Sequence, residues 1–225
     1  MISPRRFLPL LFFLAVVLFF DFAPRLFPRP ETPNSLDGEE VLFLQRHLSN
    51  RPLDYFFVAF YSVGYSVSIC GAAMLLVFTG RSRESWLYLL VFFISQVLAQ
   101  LTWLLFPVAP PRLAVVGVRG VREEIFGLSE RFNPFPWGAF PSMHVGNGLT
   151  ALLFARRCGR RAELVWAFLL FVSAFSALYL GEHYLIDLIA GCAYSLGPYT
   201  LVTRSKIGAR LSSYLSGVPS SPAVS

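Results

Sequence analysis

Six long apolar segments restrict the folds open to this chain. A helix that crosses about 30 Å of hydrocarbon needs about 20 mostly apolar residues. Segments of roughly this length lie near 7–23, 55–78, 86–106, 141–156, 163–180 and 184–203. Hydrophobic residues make up 55% of the chain and charged residues only 14%, whereas soluble domains carry roughly a quarter charged residues. The sequence therefore predicts an all-α integral membrane protein with about six transmembrane helices.

The chain divides into four predicted regions around these segments. Residues 1–23 form a first transmembrane helix, which resembles a signal peptide but is followed by no small-residue cleavage site, so we expect it to be retained. Residues 24–54 form an external linker, in which Glu39–Arg46 has helical spacing and fits either an interfacial helix or an ordinary helical linker. Residues 55–205 form the membrane core. Residues 206–225, which end in a run rich in Ser, Pro and Gly, predict a disordered cytoplasmic tail.

The basic residues indicate membrane orientation and not a nucleic-acid partner. The formal charge is +6, but the basic residues lie between apolar runs and form no stripe or patch, so we expect no nucleic acid to bind. Eleven of the 19 Lys and Arg residues fall close to helix ends on one predicted side of the membrane. The positive-inside rule places that side and both termini in the cytoplasm, and the two long connections outside. We therefore expect a multi-pass protein of the cell membrane.

Two polar motifs begin or end apolar segments on the predicted outer side. Pro-Pro-Arg, ending at Arg112, follows the third segment, where a guanidinium can snorkel or bind an anion. Phe-Pro-Ser-Met-His, ending at His144, opens the fourth segment. Its Pro and Ser indicate a helix start, where the Ser142 hydroxyl and backbone amides such as that of Met143 can bind an anion. His144 could then exchange a proton with the bound group; the alternative is a helix cap beside an interfacial histidine.

A third motif, Gly-Glu-His-Tyr-Leu-Ile-Asp, opens the sixth segment. His183 and Asp187 lie four residues apart and so share one face of a helix. A carboxylate on one imidazole nitrogen would fix the tautomer and leave the other nitrogen able to attack. The same spacing also suits a pair of metal ligands or a plain helical hydrogen bond. Because an Asp inside an apolar span is costly, we expect it to be functional. The predicted topology places Arg112, His144 and His183 on the same outer face.

Together these motifs resemble those of the type 2 phosphatidic acid phosphatase superfamily. One family motif is Pro-Ser-x-His, which residues 141–144 match in full. Another is Ser-Arg, five residues, His, three residues, Asp. Ser176, His183 and Asp187 match this motif, but Ala177 stands in the arginine position.

The remaining family motif, Lys, six residues, Arg-Pro, is matched only at Arg112. Leu105 stands in the lysine position and Leu113 follows the arginine. Pro-Pro-Arg without an upstream lysine resembles the branch that includes inositol phosphorylceramide synthases. The resemblance spans the third to the sixth apolar segment, and about six helices fit the family as well.

The resemblance implies a phosphohistidine mechanism that needs no cofactor or metal. His183 would attack phosphorus, with Asp187 orienting it. His144 would protonate the leaving alcohol and later take a proton from water or an acceptor hydroxyl. The phosphoryl oxygens would be held by Arg112, Ser142 and the Met143 amide. The implied partners are the bilayer and a phospholipid or other lipid phosphate.

We therefore predict a lipid phosphatase or phosphotransferase whose active site faces outward. Phosphate monoesters carry nearly two charges at neutral pH because their second pKa is about 6. Leu105 and Ala177 remove two cations, which favours singly charged phosphodiester donors and transfer of a head group to a hydroxyl. Three loop arginines could compensate: Arg119, Arg122 and Arg131. One alternative is a metal-dependent hydrolase with His144, His183 and Asp187 as ligands; the other is a non-catalytic lipid-binding or transport protein.

Overall fold

The computed structural model of the chain describes residues 7–28, 30–31, 33–127 and 136–216. Within these ranges the chain forms helices and connecting turns, and no β-strand. The helices are α1 Leu8–Phe22, α2 Glu39–Leu48, α3 Arg51–Ala59, α4 Tyr65–Phe78, α5 Ser82–Leu105, α6 Pro111–Ala114, α7 Val121–Phe126, α8 Met143–Ala155, α9 Arg160–Tyr179, α10 Leu185–Arg204 and α11 Lys206–Ser216. A π-helical segment, Phe60–Gly64, joins α3 to α4.

Five helical stretches are long and apolar enough to cross a membrane. They are Leu8–Leu26, Arg51–Phe78, Ser82–Leu105, Arg160–Tyr179 and Leu185–Arg204. The sixth predicted segment corresponds to α8, which has only 13 residues. At about 1.5 Å per residue it covers roughly 20 Å, short of the hydrocarbon thickness of about 30 Å. The predicted all-α membrane bundle is confirmed.

The short helix α8 lies at the centre of the bundle, packed against α4, α5, α9 and α10. Ten of its 13 residues are buried. Its apolar side chains, such as Ala151 and Phe154, join a core shared with α1, α4 and α5. The long helices thus surround α8 and fix the position of its first turn.

The backbones of α8 and α10 touch where two glycines meet. A Cβ atom on Gly191 would lie 2.2 Å from the Ser142 carbonyl oxygen, and one on Gly146 would lie 2.8 Å from the Gly191 carbonyl oxygen. Small residues of this kind let membrane helices approach closely. The Ser142 amide donates a hydrogen bond of 2.9 Å to the Asp187 carbonyl oxygen. The first turns of the two helices are therefore held side by side.

The linker and the tail differ in part from the regions expected. The helix predicted in the linker is present as α2, and Gln45 ties it to the bundle by donating to the carbonyl oxygens of Arg119 (3.1 Å) and Tyr179 (2.9 Å). The core helix begins at Arg51 and not at 55. The prediction of a disordered tail over 206–225 is wrong for Lys206–Ser216, which forms α11 against α5 and α10.

The physical reason for the tail helix is visible in the sequence spacing. In the sequence, apolar residues recur every four positions at 207, 211 and 215, a spacing that favours a helix with one apolar face. The Ser and Gly residues of this region favour a prediction of disorder, which hides the four-residue apolar period. Residues 217–225 lie outside the described residues.

Candidate active site

A cavity of about 390 Å³ lies at the end of the bundle where α8 and α10 begin. Its wall is formed by residues of α1, the π-helical segment, α4, α5 and α7, and by the turns that precede α8 and α10. His144 and His183, predicted from separate motifs, both line it. The structure therefore brings the two histidines to one cavity.

His183 is positioned by a tight turn after α9. Gly181 adopts a φ of +71°, a left-handed conformation that favours glycine. A Cβ atom there would also lie 2.8 Å from the Val118 side chain. The Glu182 and His183 amides both donate back to the Ala177 carbonyl oxygen, at 3.1 and 3.2 Å. This turn orients the imidazole toward the cavity.

The His183 imidazole is held by a backbone carbonyl. Its Nδ1 lies 2.8 Å from the Ala139 carbonyl oxygen and 3.5 Å from Asp187 Oδ2, a longer distance than a good hydrogen bond. Asp187 Oδ2 instead accepts from the Tyr184 amide at 2.7 Å. An Nδ1–H that donates to Ala139 leaves the lone pair on Nε2, which suits a nucleophile.

Ala139 is itself fixed by an interaction between two loops. Its amide donates to the Val108 carbonyl oxygen at 3.1 Å, while the Val108 amide donates to the Trp137 carbonyl oxygen at 2.8 Å. These bonds join the segment that follows α5 to the segment that precedes α8. The carbonyl that faces His183 therefore has little freedom to move.

His144 lies beside His183 between aromatic rings. Its ring stacks on Tyr61 with centroids 4.0 Å apart and lies 4.3 Å from the Tyr65 ring. The ring centroids of His144 and His183 are 5.9 Å apart. Reacting atoms approach to about 3–3.5 Å before bond formation, so this spacing can place a phosphoryl group between a nucleophile and a proton donor.

Tyr61 is a site residue that the sequence did not indicate. Its hydroxyl lies 3.4 Å from His183 Nε2, and the Arg122 guanidinium lies 5.2 Å from its ring centroid. Tyr61 belongs to the π-helical segment, and such segments are frequent at functional sites. A π-turn inside a continuous apolar run leaves no signal in a helical periodicity, so only the fold reveals this residue.

Arg112 does not line the cavity. Its guanidinium is 3% exposed and binds two carboxylates, with Nη1 2.7 Å from Glu123 Oε1 and Nε 3.2 Å from Glu182 Oε2. Arg122 lines the cavity instead, and its Nη1 lies 3.0 Å from Glu182 Oε1. Glu182 thus bridges the predicted phosphate-binding arginine and a second arginine that faces the site.

The charges of this cluster balance. Two arginines face two glutamates, so Arg112, Arg122, Glu123 and Glu182 together carry no net charge when all are ionised. Burial opposes ionisation of Glu182, but Arg112 and Arg122 outweigh it and lower the pKa of its carboxyl below the ordinary value. Of the other loop arginines, Arg119 binds Asp54 and Glu124, and Arg131 lies outside the described residues.

Ser142 and Met143 lie where α8 begins. Ser142 is fully buried, and its hydroxyl has no hydrogen-bond partner within the part of the chain that the structure describes. Its amide is already bound to Asp187, whereas Met143 lines the cavity. The Met143 amide is one of the first in the helix and needs no partner within it. Of these two residues, both expected to bind an anion, Met143 therefore lines the cavity and Ser142 does not.

The alternative ligand set does not assemble into a metal site. Among the described residues, no three side chains of His, Cys, Asp or Glu lie together as they would around a metal ion. His144, His183 and Asp187 are among the described residues for which this holds.

The apolar helices are those of a multi-pass membrane protein, and two histidines meet in a cavity of its bundle. A model of the PAP2 superfamily matches residues 35–201, well over half of the chain. The chain therefore belongs to the PAP2 superfamily, and membership supports a phosphatase-type enzyme that acts on lipid phosphates. No curated protein and no solved structure matched the chain.

Proposed function

We propose that this protein is a lipid phosphatase or phosphotransferase that forms a phosphohistidine on His183. The supporting observation is the setting of that imidazole. Its Nδ1 lies 2.8 Å from the Ala139 carbonyl oxygen, its ring lines the cavity, and His144 lies beside it. A neutral His183 in this tautomer has its nucleophilic lone pair on Nε2, close to a second group able to carry a proton.

The reaction would proceed in two displacements. The Nε2 lone pair of His183 attacks phosphorus, the bond from phosphorus to the leaving oxygen breaks, and protonated His144 gives that oxygen its proton. Water or an alcohol then attacks the phosphohistidine and gives its proton to His144, which restores both histidines. The leaving group and the acceptor decide between phosphatase and phosphotransferase. No metal enters either step.

Arg122 is the cation that faces the bound phosphoryl group in this proposal. It lines the cavity and is fixed by Glu182, so it is preorganised where negative charge would develop. The Met143 amide would complete the site, whereas the Ser142 hydroxyl is buried outside the cavity wall. To bind phosphate, Arg112 would have to break its ion pairs with two carboxylates. We propose instead that Arg112 holds Glu182 in place, and that Glu182 in turn holds Arg122.

The balanced charges favour a singly charged substrate. Because the two arginines are already neutralised by Glu123 and Glu182, a bound phosphate adds its whole charge to the site. A monoester dianion is then less well compensated than a diester monoanion. We propose phospholipid head-group diesters as donors with transfer to a hydroxyl, as in the inositol phosphorylceramide synthase branch that Pro-Pro-Arg resembles.

The distribution of basic residues supports a location and an orientation for the site. The cavity lies at the end of the bundle opposite the arginine-rich turn at 156–161. The positive-inside rule assigns such turns to the cytoplasm. We propose that the protein lies in the cell membrane with cytoplasmic termini and an outward-facing active site.

A phosphoenzyme trap tests the proposed chemistry. Purified protein would be mixed with a lipid phosphodiester labelled with ³²P in its head-group phosphate and quenched in alkali, where phosphohistidine survives. We expect a labelled band in the wild type and none in His183→Ala. A His183→Ala variant that is labelled and active would contradict the proposal. Turnover that stops after exhaustive chelation would favour the metal-dependent alternative, and the absence of any release or transfer would favour a binding protein.

Substrate preference is tested separately by steady-state kinetics. Values of kcat/KM for a phosphatidic acid and for a diester lipid with the same acyl chains would be compared on the same preparation. We expect the diester to be turned over faster. Faster turnover of the monoester would contradict the diester preference and place the protein among ordinary lipid phosphatases, with the phosphohistidine step unaffected.

A further inference from the structure

The cavity extends beyond the histidines to a polar region that the reaction does not use. Its wall there includes Asp21 of α1, Ser62 of the π-helical segment, Ser66 of α4, and Gln96 and Trp103 of α5. None of these residues belongs to a family motif. We call these five residues the α1–α5 subsite.

Asp21 is the distinctive member of this group. It is the one charged residue of α1, in a helix otherwise composed of apolar residues. Its carboxylate forms no hydrogen bond or ion pair with any other residue that the structure describes, and it faces the cavity. A carboxylate within an apolar segment is costly and marks a functional site by default. Asp21 thus offers an acceptor to a bound molecule.

Trp103 supplies the complementary group. Its Nε1–H is buried and has no acceptor among the described residues, although the side chain lines the cavity. A ligand that pairs with both side chains would accept from Trp103 and donate to Asp21. An ammonium group donates but cannot accept, whereas a hydroxyl does both. Ser62, Ser66 and Gln96 extend the same donor and acceptor character along the wall.

We propose that the α1–α5 subsite binds a hydroxyl-bearing group next to the reacting phosphorus. The group is either the polyol head of a lipid phosphodiester or an alcohol that attacks the phosphohistidine, so this inference rests on the proposed function. The volume of about 390 Å³ is near the lower end of ligand pockets, about 300–1,000 Å³. It suits a phosphate with a small polyol and leaves the acyl chains outside.

Two substrates of equal charge test whether the subsite binds the head group of the lipid donor. Phosphatidylglycerol and phosphatidylmethanol are both diesters, but only the first has hydroxyls on its head group. Their kcat/KM ratio would be measured with purified full-length wild type, Asp21→Asn and Trp103→Phe. We expect the ratio to fall about tenfold or more in Asp21→Asn, as for the loss of a hydrogen bond to a charged acceptor. A smaller fall is expected in Trp103→Phe. Asp37→Asn is the matched control, because Asp37 is exposed and lies outside the cavity.

A separate measurement tests whether the subsite binds the alcohol that attacks the phosphohistidine. With phosphatidylmethanol as donor and glycerol added, the product formed with glycerol would be divided by the product formed with water. A fall in this share in Asp21→Asn identifies the subsite as an acceptor site, and a fall in the lipid ratio identifies a head-group site; either result supports the inference. Asp37→Asn should keep both wild-type ratios.

Several results would overturn the inference. Unchanged ratios in both variants, or a fall equal to that of Asp37→Asn, would show that the wall does not recognise hydroxyls. A wild-type preference for phosphatidylethanolamine that Asp21→Asn abolishes would show that the ligand is an ammonium group. In each case the phosphoenzyme trap still reports on the proposed chemistry, whereas a wild type without phosphoenzyme and without turnover contradicts both.

Discussion

Glu182 forms ion pairs with both Arg112 and Arg122, two residues that no sequence motif links. Arg112 is the motif residue, but Arg122 faces the cavity. The two should therefore respond differently to loss of charge. Replacement of Arg112 leaves the buried Glu182 with Arg122 as its remaining cation, and removal of one partner of a buried pair costs at most about 3–5 kcal/mol. Replacement of Arg122 removes a group that would bind the reacting phosphate.

We expect Arg122→Gln to lower kcat/KM by about 10²-fold while the protein stays folded, similar to the loss of one transition-state donor. Arg112→Gln should mainly lower the thermal unfolding temperature. The measurements are steady-state kinetics and unfolding in detergent on the same preparations. If Arg112→Gln remains as stable as the wild type and loses more activity than Arg122→Gln, Arg112 binds phosphate directly, as the motif suggests.

We expect Asp187 to contribute less to tautomer control than its spacing suggests. In a Ser-His-Asp triad, conversion of the Asp to Asn costs about 10⁴ because the histidine adopts the wrong tautomer. Here the Ala139 carbonyl oxygen lies nearer to Nδ1 than Asp187 does, and it would keep the tautomer in the variant. We expect Asp187→Asn to lower kcat by about tenfold to a hundredfold, the range for one charge-assisted hydrogen bond. A loss near 10⁴ would show that the carboxylate sets the tautomer.

At the level of helices, the contact between Gly146 and Gly191 fixes the distance between the two histidines. A methyl group on Gly191 would meet the Ser142 carbonyl oxygen at 2.2 Å, so α8 and α10 would have to separate. We expect Gly191→Ala to destabilise the protein by about 1–3 kcal/mol and to lower kcat by moving His144 away from His183.

Gly197→Ala is the control on the same helix, because a Cβ atom there has no neighbour within 4 Å. It should keep full activity and unfold at the same temperature as the wild type or slightly higher, since Ala favours helices over Gly. Thermal unfolding and kcat would be compared for both variants. Wild-type behaviour of Gly191→Ala would mean that the helix contact does not control the site.

Helix periodicity and the histidine motifs were readable in the sequence, whereas the contacts between segments were not. Apolar runs revealed the five spans and the segment that forms α8, whose short length only the structure showed. Ala139 acts through its carbonyl, which every residue possesses, so no sequence pattern marks it. Tyr61 depends on the π-helical segment, and Arg122 depends on the path of a loop from α6 to α7. Ala139 and Tyr61 could be identified only once the fold brought distant segments together, and the fold singled out Arg122 from the three loop arginines named as candidates.

For the whole molecule, the orientation in the membrane decides which compartment supplies water and acceptor. Val116 is 96% exposed in the loop near Arg112, and Arg160 begins α9 at the other end of the bundle. In a background without the three native cysteines, we expect Val116→Cys to react with an impermeant thiol reagent on intact cells and Arg160→Cys to react only after lysis. The reverse pattern would place the active site in the cytoplasm.

The short length of α8 has a consequence for the surrounding lipid. The arginines that follow it at 156–161 hold its end at a membrane surface. A helix of about 20 Å then leaves His144 roughly 10 Å inside a hydrocarbon layer of about 30 Å. A lipid phosphate reaches that depth only if the leaflet dips toward the protein. Thinning costs more in bilayers with longer acyl chains, so turnover should decrease as the host membrane thickens, and membrane thickness itself becomes a regulator of the enzyme.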